Sequence, residues 1–177
     1  MIGKKIHEFA KILWPINRSI TGKGVRETLD LIKSHLSGME VASIPSGTSV
    51  FDWKVPFEWQ ISKGFLKKKN GNKICDFEKN NISILNYSKK VKMKTSFKNL
   101  KNNIFTIPSL PNLRPYVTSY YKKNWGFSMP YKIYKKLKNN EILDAQIDSK
   151  FKKGSVDIGV KTLKGKNKKI VLISSYL

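Results

Sequence analysis

The chain has 177 residues and a formal net charge of +23, with 40% apolar and 11% aromatic residues. This length and composition suit a folded protein with its own hydrophobic core and exclude a disordered or fibrous one. No apolar run approaches the roughly 18–20 residues that a membrane-spanning helix needs, and the N-terminus lacks the continuous apolar segment of a signal peptide. We therefore expect a cytoplasmic protein. Its single cysteine, Cys75, excludes an internal disulfide and suits a reducing compartment.

The positive charge comes almost entirely from lysine, because Arg18, Arg26 and Arg114 are the only arginines among 35 basic residues. Specific recognition of phosphates and bases favours the planar, bidentate guanidinium group of arginine. The lysines are spread along the whole chain, in short runs such as "LKKKNGNK" that coincide with turn signals. We interpret the charge as a solvated surface that binds polyanions weakly and non-specifically at low salt.

Two amphipathic helices are predicted near the N-terminus. Apolar residues at helical spacing in "KKIHEFAKILW" predict the first over residues 3–14, and "VRETLDLIKSHL" predicts the second. Short strands are then predicted at "MEVASIP" and "SGTSVF". Two helices followed by strands are typical of the beginning of an α/β domain.

From about residue 51 the pattern changes to short β-type runs broken by Pro, Gly and Asn. A hairpin turn is predicted at "NGN", and strands are predicted at "ISILNY" and "KVKMK". Longer strands return in "ILDAQIDSKF", "GSVDIGVKTLKG" and "KKIVLISSYL". This order predicts an α/β domain that is interrupted by a β-rich insertion.

Few residues could bind a metal or a phosphate group. His7, His35 and Cys75 lie in separate predicted elements, and they form none of the ligand spacings that zinc sites use. "SITGKGVRETL" has a Gly-Lys pair before a helix, but it lacks the first glycine and the preceding strand of a phosphate-binding loop. We interpret it as an ordinary helix N-terminus.

Catalytic side chains are equally scarce. Asp52 and Glu58 in "FDWKVPFEW" are near enough in sequence to share one face of a bent strand, but we expect them to accept hydrogen bonds from backbone amides or an indole. No serine lies in a nucleophile-elbow sequence. The aromatic residues and lysines of "YVTSYYKKNWGF" could stack on bases, although we favour packing within the insertion.

Four segments, in this order and at these spacings, resemble the N-terminal part of a bacterial family of zinc aminopeptidase-like proteins. They are "LWPINRSITGKGVRETLDLIK", "IPSGTSVFDWKVPFEW", "DFEKNNISILNYS" and "RPYVTSYYKKNWGFSM". The resemblance runs from about Leu13 to the last residue. Much of the family is described only as a domain of unknown function, and its genes often lie among those for surface-polysaccharide biosynthesis.

The resemblance implies a di-zinc aminopeptidase-type α/β domain, interrupted by an inserted β-rich, β-sandwich-like domain and followed by a winged-helix domain. On this template, residues 1–55 begin the catalytic-type α/β domain and residues 56–138 form the insertion. Residues 139–177 are the return strands of the α/β domain, which is truncated. The fold class implied is therefore an incomplete α/β domain with an insertion.

The resemblance also implies where the chemistry lies. In the family, a strand similar to "KIVLISSY" leads to a histidine that binds zinc, and the other ligands come later in the chain. We therefore expect an N-terminal fragment of a zinc-dependent hydrolase that acts on peptide-like or amide substrates. This chain would contain no catalytic residue and no metal ligand, would bind no cofactor and would be inactive alone. Its expected partner is the missing C-terminal part of the same protein.

Four residues match motifs of the family and are candidates for substrate binding: Arg18, Tyr120, Tyr121 and Trp125. Arg18 could hold a substrate carboxylate through a bidentate pair, and the aromatic side chains could face the active-site cleft. Structural roles, in a loop and in the core of the insertion, are the alternative for each of them. Ser128 departs from the family, which usually has cysteine after "WGF".

A function of a different class stays open. The chain could be a stand-alone basic module that has lost catalysis and binds an acidic polymer or nucleic acid. We expect no specific nucleic acid and no membrane as a partner, because the lysines are not concentrated in one segment. The salt dependence of polyanion binding distinguishes a specific site from general attraction.

Overall fold

The computed structural model describes residues 1–119, 122–167 and 169–176. The chain forms two compact units, Met1–Glu58 with Lys153–Leu177 (the first unit) and Trp59–Lys152 (the second unit). Within the described residues the helices are α1 (Ile2–Leu13), α2 (Lys23–His35), α3 (Phe97–Leu100) and α4 (Tyr131–Tyr134). The strands are β1 (Glu40–Pro45), β2 (Ser49–Val50), β3 (Trp53–Lys54), β4 (Glu58–Lys68), β5 (Lys73–Asp76), β6 (Val91–Ser96), β7 (Ile104–Phe105), β8 (Phe127–Ser128), β9 (Ile142–Lys152) and β10 (Ser155–Val160). None of the helices in these ranges combines the length and the apolar character needed to cross a membrane.

Both predicted N-terminal helices are confirmed. No residue of α1 is buried, and its Phe9 ring lies 4.4 Å, between centroids, from the His35 ring at the end of α2. α2 turns Val25 and Leu29 inward, where they pack with Met39 in the small core of the first unit. Burial of this apolar stripe, more than helix propensity, stabilises α2.

In the first unit, β1 and β10 form an antiparallel two-stranded sheet. Its register places Val41 opposite Gly159 and Ser43 opposite Asp157, and residues opposite each other in such a pair point to the same face. α2 covers this face so closely that a Cβ atom at Gly159 would lie 2.9 Å from Leu29 Cδ2. The close approach places α2 directly over Asp157.

The second unit is organised by a four-stranded sheet of order β5-β4-β9-β6. The predicted "NGN" turn is confirmed, because it joins β4 to β5 with Gly71 at a φ of 85°. There the backbone N–H of Lys68 donates to the carbonyl oxygen of Asn72 at 2.9 Å. The predicted strands at "KVKMK" and "ILDAQIDSKF" are also confirmed, as the antiparallel neighbours β6 and β9.

One face of this sheet, together with the loops that cross it, builds the main core. Phe127 of β8 is fully buried there, and β8 pairs in parallel with β7. The core cluster is Leu66, Cys75, Ile84, Val91, Phe97, Leu100, Ile104, Phe127, Met129, Leu137, Leu143, Ala145 and Ile147. All of these residues belong to the second unit, so this unit has a hydrophobic core of its own.

The carbonyl oxygen of Ser88 joins the two ends of the second unit. It accepts hydrogen bonds from Trp59 Nε1 at 2.8 Å and from Ser149 Oγ at 2.7 Å. The ring of Tyr87, whose φ is 66°, stacks on that of Trp59 with 6.0 Å between centroids. The beginning of β4 and the end of β9 are therefore held side by side.

The prediction of a continuous strand at "ISILNY" is wrong. Asn81–Ser83 forms a 3₁₀ turn, and only isolated bridges occur at Ile84 and Asn86. The side chain of Asn80 accepts a hydrogen bond from a backbone N–H of this turn at 3.1 Å. Such a local side-chain acceptor competes with strand pairing, and asparagine is well suited to it.

The prediction of a strand at "KKIVLISSYL" is also wrong for the residues that the structure describes. Residues 169–176 form no strand, and the side chains of Ile170 and Ile173 are 92% and 90% exposed. A strand is stabilised by hydrogen bonds to a neighbouring strand. No strand of the described chain pairs with this segment, so its β propensity alone does not order it.

Candidate functional site

A guanidinium group and two carboxylates meet in the first unit. Arg26 of α2 donates from Nη1 to Glu58 Oε1 at 2.5 Å and to Asp157 Oδ2 at 3.1 Å. The side chains of both acids are 2% exposed, whereas that of Arg26 is 40% exposed. The cluster therefore combines two buried carboxylates with one partly solvated cation, from three distant parts of the sequence.

Two hydroxyl groups complete the surroundings of Asp157. Ser43 Oγ donates to Asp157 Oδ1 at 2.6 Å, and Ser155 Oγ donates to the same oxygen at 2.7 Å. Burial raises the pKa of the Asp157 carboxyl, but the hydrogen bonds from Ser43, Ser155 and Arg26 outweigh it and lower the pKa below its ordinary value. The hydrogen bond to Glu58 raises the pKa of Arg26 against the effect of burial. All these contacts favour the ionised forms.

The absence of a side chain at Gly154 leaves room for the side chain of Glu58. A Cβ atom at Gly154 would lie 2.4 Å from Glu58 Cδ, closer than any side chain tolerates. The glycine backbone is itself anchored, since Ser46 N–H donates to its carbonyl oxygen at 2.8 Å and its own N–H donates to Ser46 Oγ at 3.1 Å. The turn between β9 and β10 is thus built against the buried carboxylate.

This geometry suits a structural ion-pair cluster. A general acid needs a carboxyl whose pKa is raised towards neutrality, and that of Asp157 is lowered instead. Within residues 1–119, 122–167 and 169–176, no group of three or more His, Cys, Asp and Glu side chains could hold a metal ion. The cluster links α2, β10 and the first residue of β4, and its contribution is to the stability of the first unit.

Acidification is expected to destabilise the protein. The pKa of Asp157 is lowered, as are those of Asp76 by its hydrogen bond from Lys73 and of Glu141 by that from Lys68. The folded state then binds fewer protons than the unfolded state, so this stability is present above the unfolded pKa of about 4 and is lost as the pH falls through the lower folded values. Urea titrations over a pH series measure it. A midpoint that is constant or rises between about pH 5 and about pH 3 would contradict the expectation.

The structure places the predicted site residue Arg18 just after α1. Its Nη1 donates to the carbonyl oxygen of Leu13 at 2.6 Å, and the side chain is half-buried. Leu13 is the last residue of that helix, where a cation bonds an otherwise open carbonyl and opposes the negative end of the helix dipole. Arg18 thus has a structural role, and its part in substrate binding stays a prediction.

Of the aromatic candidates, the structure describes Trp125, which belongs to the second unit. Trp125 is half-buried against the main core, and its ring meets that of Phe127 edge to face with 6.3 Å between centroids. Its carbonyl oxygen accepts a hydrogen bond from Asn103 Nδ2 at 2.8 Å. Tyr120 and Tyr121 lie outside the described residues. Of the two candidates that the structure describes, Arg18 belongs to the first unit and Trp125 to the second, and the role of all four in binding stays a prediction.

Asp52 and Glu58, the carboxylates of "FDWKVPFEW", have different surroundings. Asp52 is exposed, whereas Glu58 is buried against Arg26. Two signals in the sequence concern the cluster: Arg26 is one of only three arginines, and Asp157 is the single charged residue of the alternating "SVDIGV". Neither signal identifies the partner, because the contact joins residues 131 positions apart.

The thiol of Cys75 is not a nucleophile. Burial raises its pKa to about 11, although Arg114 opposes this, and a thiol that stays protonated at neutral pH is inert. Arg114 Nη1 donates to the carbonyl oxygen of Ser128, which also lies 3.4 Å from Cys75 Sγ. These groups fix the loop before β8 to the core.

Comparison with known protein families gives the decisive observation. The model of a family described as a domain of unknown function, DUF2172, matches residues 58–150, which is just over half of the chain. The chain belongs to the DUF2172 family. The matched DUF2172 segment nearly coincides with the second unit, Trp59–Lys152. The family assignment therefore describes this unit above all.

Relatives of this DUF2172 chain extend the similarity into the first unit. A curated protein of Clostridium acetobutylicum, described provisionally as a polysaccharide biosynthesis protein with an aminopeptidase-like domain, is 38% identical over 174 residues. That alignment covers 98% of this chain and 40% of the relative. The crystal structure of a protein from the same species, described provisionally as a peptidase, matches with a TM-score of 0.83 and 40% identity, and covers 89% of this chain and 37% of that one.

The predicted resemblance to aminopeptidase-like proteins of polysaccharide biosynthesis is thereby confirmed. The DUF2172 chain spans about 40% of the length of the relative that it matches. Helices and strands are mixed in it, as in the α/β class predicted, and its fold is that of part of the peptidase structure.

Proposed function

We propose that this chain is the N-terminal portion of a zinc-dependent, aminopeptidase-like hydrolase and that it has no hydrolase activity alone. The coverage of the relatives carries the proposal: nearly the whole chain aligns with two fifths of a protein that has an aminopeptidase-like domain. The substrate class is a peptide-like molecule or another amide. In this proposal Arg18, Tyr120, Tyr121 and Trp125 contribute to substrate binding.

The described residues do not fit a zinc site. Zinc binds to clusters of three or four His, Cys, Asp or Glu side chains, and the described part of the chain brings no three of them together in a suitable group. The carboxylates of Glu58 and Asp157 are occupied by Arg26. We therefore assign the metal and the catalytic side chains to the part of the longer protein that this chain does not span.

The purified chain tests the proposal directly. After incubation with zinc and desalting, its metal content is measured by mass spectrometry, and its hydrolysis of aminoacyl p-nitroanilides is followed by absorbance. We expect far less than one zinc ion per chain and no hydrolysis above the buffer blank. Stoichiometric zinc together with hydrolysis by the chain alone would overturn the proposal.

The charge favours a second candidate, the basic binding module. The ammonium groups of Lys63, Lys67 and Lys73 lie 4.8–5.7 Å from the centroid of the Phe65 ring. Two of these lysines are paired with acids, however: Lys67 lies 3.3 Å from Asp144, and Lys73 lies 2.9 Å from Asp76. This partial neutralisation supports general attraction to polyanions more than a dedicated site.

Binding to a polyanion is expected to be weak and to disappear with salt. With few fixed phosphate contacts, affinity for heparin or single-stranded DNA should fall by about tenfold or more between roughly 50 and 200 mM salt. Fluorescence anisotropy of labelled oligonucleotides and heparin measures this. Affinity that survives at the higher salt concentration would favour the binding module instead.

A further inference from the structure

The sheet formed by β1 and β10 has a second face, opposite α2. Side chains alternate along a strand, and Ser43 and Asp157 point towards α2. The neighbouring positions therefore point away from the helix. We call them the outer face, which consists of Ala42, Ile44, Val156, Ile158 and Val160, with Glu40 at its end.

The outer face is apolar and largely uncovered. Ile158 is 44% exposed and Val160 is 47% exposed, while Ile44 and Val156 are half-buried. The face towards α2 instead carries Ser43, Ser155, Asp157 and Gly159, so apolar and polar or small residues alternate along β10. An antiparallel strand with this alternation usually packs its apolar face against a core. A two-stranded sheet alone is also only marginally stable. The outer face is therefore the one that this pattern predicts to be packed, and α2 covers the opposite side.

The longer Clostridium acetobutylicum relative contains additional polypeptide that could cover this face. This chain matches 40% of the Clostridium acetobutylicum protein, so three fifths of that protein have no counterpart in it. A second copy of this chain is the poorer occupant, because two chains that each carry a net charge of +23 repel one another. A helix packed on the free face of a sheet is the usual way to complete such layers.

We propose that the outer face is the docking surface for the apolar side of an amphipathic helix from the remaining part of the hydrolase. This inference rests on the proposed function, since it takes the rest of the aminopeptidase-like protein as the partner. The helix would cover Ile158 and Val160, and its polar side would face solvent. In the longer protein β1 and β10 then lie between two helical layers.

Cysteine labelling tests the inference, because the native Cys75 is fully buried and stays unlabelled. The variants are Ile158→Cys and Val160→Cys. The matched control is Ile142→Cys, since Ile142 is a strand residue of the second unit that is 50% exposed. Each is made in this chain and in a chimera in which this chain replaces the matching segment of the Clostridium acetobutylicum protein.

In the isolated chain all three cysteines should react with a maleimide at similar rates. In the chimera we expect the two outer-face cysteines to react at least about tenfold more slowly, equivalent to about 1.4 kcal/mol of protection, and the control to react as before. An outer-face cysteine that is as reactive in the chimera as in the isolated chain overturns the inference. Protection that appears in the isolated chain as its concentration rises also overturns it, in favour of a second copy.

The same chimera separates this inference from the proposed function. Protection of Ile158→Cys without hydrolysis of aminoacyl p-nitroanilides would support the docking surface and count against the hydrolase. Hydrolysis without protection would support the hydrolase and overturn the docking surface.

Discussion

Replacing Arg26 with methionine is expected to lower the free energy of unfolding of the first unit by about 3 kcal/mol. The substitution keeps an unbranched side chain on α2 but removes the cation from Glu58 and Asp157, whose side chains are 2% exposed. Loss of one partner of a buried ion pair costs about 3–5 kcal/mol, and we expect the lower end because Arg26 is partly solvated. Native-state hydrogen exchange of the amides in β1 and β10 measures the change.

The control for this substitution is Lys11→Met. Lys11 pairs with Glu8 at 3.0 Å on the surface of α1, where both side chains are more than half exposed. An exposed pair of this kind contributes about 0–1 kcal/mol, so exchange in β1 and β10 should stay nearly unchanged. Equal effects of the two substitutions would show that the buried cluster does not stabilise the first unit. Amides of β6 and β9 provide an internal reference in the second unit.

Replacing Phe127 with alanine is expected to destabilise the second unit by about 3–5 kcal/mol. Phe127 is fully buried at the centre of the main core and contacts the ring of Trp125. Its removal costs the transfer free energy of the ring and leaves a cavity that the surrounding strands fill only in part. Urea unfolding followed by tryptophan fluorescence gives the free energy.

Phe51→Ala removes the same side chain from an exposed position. Phe51 lies in the turn between β2 and β3 and is 102% exposed, so its truncation should change stability by less than about 0.5 kcal/mol. A loss of stability at residue 127 no larger than that at residue 51 would contradict the assignment of the main core. The two variants have identical composition, which removes any effect of the amino-acid type.

The sequence predicted the helices and turns whose formation depends on residues close together in the chain. Helical spacing from Val25 to Leu36 is a local pattern, and α2 forms where it predicts. The turn at Asn70 and Gly71 is equally local, since a positive φ is needed there and glycine adopts it without strain. The family resemblance was visible for a related reason, because it rests on four short segments in order.

The contacts that could not be predicted join distant positions. Nothing near Arg26 in the sequence indicates Asp157 as its partner, since the pairing depends on the register of β1 with β10 and on the placement of α2 over that sheet. The strand predicted at the C-terminal end is not observed for a related reason. Its residues favour extended structure, but a strand also requires a neighbour that the sequence of the segment does not specify.

The hydrogen bonds at Ser88 also have an evolutionary consequence. Because Trp59 and Ser149 both reach its carbonyl oxygen, the first and last strands of the second unit begin and end close together. A segment with adjacent ends can be gained, exchanged or removed as a single genetic cassette while the host chain bridges only a short gap. The close spacing of its two ends gives the second unit this property.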